Sequence, residues 1–93
     1  MSLLNGEFVA DVIVTIKVMP KDNKVDLTQL ELKIRSAVEP NGLKREPIAF
    51  GIVALIVTKL IPDEGGELEK IENKLKEIDD VGEVEVTDLS RAL

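Results

Sequence analysis

The stretch Glu46–Ile61, EPIAFGIVALIVTKLI, restricts the possible folds of this chain more than any other. Pro47 breaks its approach, and the longest uncharged apolar run in the sequence follows. The segment Ile52–Thr58 is rich in β-branched residues and carries no charge. It is far shorter than the roughly 18 apolar residues of a membrane helix, so it reads as a buried strand at a central sheet position. Phe50 and Gly51 stand at the mouth of that strand. Phe50 is one of two phenylalanines in the chain, and beside a glycine it either edges the core or is presented as a contact.

A central strand needs partners, and the rest of the chain supplies them. From Phe8 to Val18, the apolar Val12, Val14, Ile16 and Val18 alternate with Asp11, Ile13, Thr15 and Lys17, the period of a strand with one packed face. The segment Met19–Lys24 then brings breakers and polar residues that stop it. Asp26 as N-cap, with Gln29 three residues on, makes a capping-box pattern, and Val25 and Leu30 occupy the positions of a hydrophobic staple. Leu27, Leu30, Ile34, Ala37 and Val38 form a helical stripe, with Glu31, Lys33 and Arg35 expected to point away. Pro40-Asn41-Gly42 ends this helix.

The segment Leu43–Ala49 carries Lys44, Arg45 and Glu46 ahead of Pro47, a mixture suited to a sheet edge because proline cannot donate to a central ladder. After the buried strand, Pro62–Gly66 forms a turn. Leu68, Ile71, Leu75 and Ile78 make a second helical stripe, with Glu72 and Lys76 spaced for an ion pair. Gly82 resets the chain, Val84 and Val86 alternate with Glu83, Glu85 and Thr87 in a short last strand, and Asp88–Leu93 reads as a polar tail.

The order strand, helix, strand, strand, helix, strand predicts a ferredoxin-like α+β sandwich: a four-stranded antiparallel sheet with two helices on one face, as a single domain over residues 1–93. Right-handed crossovers put the first and third strands at the centre. Lys59 resists the scheme, since it shares a side with Val53, Leu55, Val57 and Ile61. It either snorkels at the sheet margin or sits beyond a bulge after Val57.

Composition limits the chemistry. Without cysteine or histidine, the chain has no disulfide, thiolate metal site or imidazole base. A net charge of −6 argues against a phosphate-backbone partner and for a basic protein surface. Neither a membrane span nor a signal peptide is apparent, so a cytoplasmic protein without membrane attachment is expected. An RNA-recognition domain would display aromatics on its central strands, whereas the open face here would show Ile13, Thr15, Lys17, Ala54, Ile56 and Thr58. A soft-metal chaperone lacks its cysteines, and an acyl-phosphate hydrolase lacks a basic phosphate cradle after the first strand. Asp63-Glu64 and Asp79-Asp80 match no calcium spacing and read as ordinary acidic loops. No cofactor or metal is expected.

The segment Glu46-Pro47-Ile48-Ala49-Phe50-Gly51 with its apolar strand resembles the corresponding stretch of the beta subunit of translation elongation factor 1. Ile16-Lys17-Val18-Met19-Pro20 and Val84-Glu85-Val86-Thr87-Asp88 are similar to the same family in its short archaeal form. The resemblance covers essentially the whole chain. It implies a guanine-nucleotide exchange factor, not an enzyme, whose partner is the elongation factor 1-alpha GTPase and which is a monomer on its own. It also implies that Phe50, with Pro47 and Gly51 around it, wedges into a pocket of the GTPase. A lysine near the C-terminus of eukaryotic relatives is directed at the Mg²⁺ region; this chain has no lysine there, and Arg91 is the nearest cation. A reading from another class is a small-molecule-binding regulatory module built on paired ferredoxin-like domains, for which exposed Ile13 and Ile56 would supply the pairing surface.

Overall fold

A computed structural model describes residues 11–91; the expected strand start at Phe8 lies outside them. The period-two pattern becomes alternating burial in β1 (Asp11–Pro20), where Val14, Ile16 and Val18 are fully enclosed. β1 runs antiparallel to β3 (Val53–Pro62) in unbroken register from Asp11↔Pro62 to Val18↔Leu55. β2 (Gly42–Pro47) lines the other side of β3, and β4 (Val81–Arg91) lines the other side of β1. The strand order β2-β3-β1-β4 gives the ferredoxin-like α+β fold, with the expected strands at the centre.

Both helices begin where the chain marks them. Asp26 caps α1 (Leu27–Val38), its side chain accepting a 3.2 Å hydrogen bond from the Gln29 N–H. Leu30, Ile34 and Val38 then face the sheet. α2 (Glu67–Lys76) starts at Gly66, whose φ of 92° only glycine adopts readily and which offers no capping side chain. Glu67 and Glu69 in its first turn and Lys74 and Lys76 in its last complement the helix dipole instead. Ile71 and Leu75 close the core against Leu55, Val57 and Ile16.

Several charged residues do more than the helical spacing suggested. Glu31 and Lys33, expected to point away, tie α1 to its neighbours: Arg45 of β2 donates to Glu31 at 3.0 Å, and Lys33 donates to Asp80 at 2.9 Å. The ion pair on α2 joins Glu67 to Lys70 at 3.8 Å and not Glu72 to Lys76. Lys59 snorkels. The unbroken β1–β3 register leaves no bulge, and the Lys59 ammonium donates at 3.0 Å to the carbonyl of Glu39, the cap at the negative end of α1.

The last strand departs most from expectation. β4 is 11 residues long and reaches Arg91, so most of the expected polar tail is sheet. Thr87 is the extra residue of a bulge between the Val86↔Ile16 and Asp88↔Thr15 pairs, and its hydroxyl donates to the Thr15 carbonyl at 3.3 Å. A second irregularity at Gly82 brings β4 against the end of β1. A Cβ there would stand 2.8 Å from Lys21 Cα and 3.1 Å from the Pro20 carbonyl oxygen. Both neighbours are backbone, so Gly82→Ala is expected to lower stability by about 1–3 kcal/mol, read by thermal or urea melting.

Candidate functional site

The β2–β3 connection is the part of the molecule that its own core does not account for. Ile52 N–H donates to the Ala49 carbonyl at 3.0 Å and Ile48 N–H to the Ile52 carbonyl at 2.9 Å, which closes a tight turn. Its two central residues, Phe50 and Gly51, have φ of 55° and 77°, the signs of a type I′ hairpin turn. Gly51 suits its position. Phe50 does not, because a left-handed backbone costs an ordinary residue about 1–2 kcal/mol.

The ring of Phe50 recovers none of that cost within this domain. It is 96% exposed, so the choice between core edge and presented contact falls to presentation. Ile48 beside it is also exposed. Pro47 is the last residue of β2, paired with Val53, and its ring fixes φ and removes a backbone donor where the ladder ends. Asn23, in the loop after β1, supplies the nearest side-chain atom to Gly51, 3.8 Å from where a Cβ would sit. Pro47, Phe50 and Gly51 therefore stand together at one tip of the sheet.

Arg91 does not join them. It pairs in register with Val12, which pairs with Ile61 at the opposite end of β3. At about 3.3 Å per residue, the ten residues of β3 separate the two ends by about 30 Å. The Arg91 guanidinium is also engaged within the chain, 3.2 Å from the Asp63 carboxylate.

The acidic loop residue Asp80 lies near the hairpin end, where its backbone carbonyl accepts a 2.8 Å bond from Lys21 N–H. Its carboxylate accepts from Lys33 at 2.9 Å and lies 3.8 Å from Lys21. The Lys33 hydrogen bond, then the charges of Lys33 and Lys21, hold the carboxyl below its ordinary value against a smaller desolvation effect. A depressed folded-state value gives stability that is present above the unfolded value of about 3.9 and lost as pH falls through the folded one. Asp80→Asn is expected to flatten the fall in stability on the acid side of pH 4, measured by urea melts from neutral to acid pH, and to change little of the slope above pH 5.

The surface offers little for a small molecule or ion. The hollow between the C-terminal end of α1 and α2 holds about 420 Å³, yet it is open and edged by Glu39, Lys59, Glu67, Lys70 and Lys74. Ile56, expected to be exposed for sheet pairing, is 8% exposed. It sits between Lys17 and Lys44 in its row of the sheet. Among the described residues no cluster of three or more acidic, histidine or cysteine side chains could hold a metal, and no helix is long and apolar enough to cross a membrane.

Comparison with known proteins accounts for the hairpin. Relatives named Elongation factor 1-beta include that of Methanothermobacter thermautotrophicus, 41% identical over 87 residues that cover 89% of this chain and 98% of the relative. The one from Methanosphaera stadtmanae is 37% identical over 87 residues, covering 90% and 99%. The one from Haloarcula marismortui is 38% identical over 80 residues, covering 82% and 91%. Nothing among them supports the regulatory-module reading. Residues 13–92 match the EF-1 guanine nucleotide exchange domain, and the chain belongs to that family.

Proposed function

We propose that this chain, as a single exchange domain, acts in the cytoplasm as elongation factor 1-beta: it binds the GTPase elongation factor 1-alpha and promotes replacement of its GDP by GTP. The observation that carries the reading is Phe50, a bulky ring held almost wholly in solvent on a left-handed backbone at a hairpin tip. Residues kept in costly conformations without local compensation concentrate at binding sites. Family membership supplies the activity.

In this reading the hairpin is a stiff wedge. β2 and β3 hold its base, Pro47 and Gly51 set its turn, and Phe50 enters an apolar pocket of the GTPase. The protein makes and breaks no covalent bond. It binds best to the form of the GTPase that holds no nucleotide, and by linkage it must weaken nucleotide binding by the factor by which nucleotide weakens its own. GDP depends on a phosphate-cradling backbone loop and Mg²⁺, so a shift in either loosens it. Arg91 makes a second contact about 30 Å away along the sheet, giving up its pair with Asp63. That pair is exposed on both sides, and such pairs contribute little to stability, so its loss opposes binding weakly.

Release of a fluorescent GDP analogue from the cognate GTPase, followed with and without this protein, tests the assignment. Release should accelerate with added protein in the presence of excess unlabelled nucleotide. An unchanged release rate at saturating protein would end it.

A further inference from the structure

If Phe50 enters the GTPase, one of the two faces of the sheet beside it must come close to the same partner. The helix face at that end already satisfies its own charges. Arg45 is held by Glu31 and by Thr28, whose hydroxyl accepts at 3.2 Å, and Asp80 is held by Lys33 and Lys21. The other face differs. In the register of the sheet, Lys44, Ile56, Lys17 and Glu85 form one row across all four strands. None of these three charged residues takes part in an ion pair among the described residues.

We infer that this open face is the remainder of the docking surface, with Lys17 and Lys44 meeting carboxylates of the same GTPase that receives Phe50. The inference rests on the exchange-factor reading. Three features support the open face over the helices. The row lies on the two strands that end at the Phe50 hairpin and on β1 beside them, so the surface is continuous with the tip. Its floor is flat, because Ala54 and Ile56 are 0% and 8% exposed and leave no pocket or knob. In a chain of net charge −6, two unpaired lysines on either side of one buried isoleucine form a local positive centre. Such a centre suits an acidic patch on a partner, and across an interface it fixes register and orientation more than it adds affinity.

The sequence contains no cysteine, so one introduced thiol can be modified without background. Lys17→Cys places it at the centre of the open face, and Lys74→Cys places it on the exposed side of α2. Each is coupled to a maleimide-linked polyethylene glycol, and GDP release from the GTPase is measured at limiting factor beside the unlabelled variant and Phe50→Ala. Melting temperatures verify that each labelled protein is folded. Coupling at residue 17 should slow exchange about tenfold or more, the scale of losing a central contact, while coupling at residue 74 should change it less than about twofold. Lys44→Cys repeats the test from an exposed position in the same row if the label at residue 17 disturbs the sheet. If the labels at residues 17 and 44 are tolerated while Phe50→Ala is impaired, the open face is not the docking surface and the exchange reading stands. If Phe50→Ala exchanges as well as the parent, the wedge and this inference fall together.

Discussion

Phe50→Asn is expected to melt a few degrees higher than the parent protein and to lose about tenfold or more of its exchange activity at limiting concentration. The two effects have separate causes. Phe50 holds a φ of 55°, where asparagine is tolerated far better than an aromatic residue, so the substitution removes up to about 1 kcal/mol of backbone strain. The ring is 96% exposed, so no cavity opens behind it and no packing is lost. Buried aromatic anchors at interfaces commonly account for about 2 kcal/mol or more of binding, and the loss appears as a weaker complex. Most point substitutions destabilise, which makes a stabilised but inactive protein a demanding outcome. A lower melting temperature with unchanged exchange by the folded protein would show that the ring supports the domain and not the partner.

The largest effect on stability is expected at Ile16. It is fully enclosed on the central strand, facing Val57 on one side and Val86 on the other, next to the bulge that turns β4. Ile16→Ala removes apolar contact and leaves a cavity that two flanking strands cannot easily collapse, for about 2–5 kcal/mol. A domain of this size has about 5–15 kcal/mol in all, so the midpoint should fall by roughly 10 °C or more. Thermal melting followed by circular dichroism reads this directly. A shift within a degree or two would mean that the β1–β4 junction is not part of the cooperative core.

The fold was legible where side-chain pattern and backbone geometry agree. Period two in β1, the Asp26 cap, the stripe Leu30, Ile34 and Val38, and the charged approach to Pro47 each report a local rule, and each has its expected element. The end of β4 was not legible because its bulge adds one residue at Thr87 and shifts the alternation. Leu89 then falls opposite Val14 yet remains 55% exposed, so nothing in its surroundings marks it as strand. The backbone of β1 recruits Asp88–Arg91 by hydrogen bonding, which side-chain pattern does not record. The partners of Glu31 and Asp80 were hidden for a related reason. Helical spacing reports neighbours at three and four residues, whereas Arg45 and Lys33 arrive from 14 and 47 residues away.

The hairpin tip was half legible. Phe50 stood out as a rare aromatic beside glycine, and the family resemblance gave it a role, but its left-handed backbone was not foreseeable because Phe-Gly is not among the residue pairs that favour this turn. Arg91 shows the opposite case. Chosen as the nearest cation to the C-terminus, it proves to be tied to Asp63 at the far end of the sheet from Phe50.

The central claim is that this protein distinguishes the empty GTPase from the loaded one. Calorimetric or fluorescence titration of elongation factor 1-alpha, nucleotide-free and then saturated with GDP, measures that difference directly. The account predicts much tighter binding to the empty form, with a ratio of the two affinities equal to the factor by which saturating exchange protein weakens GDP binding. Equal affinity for the two forms would contradict it, since a partner that binds both alike cannot shift the nucleotide equilibrium however tightly it binds.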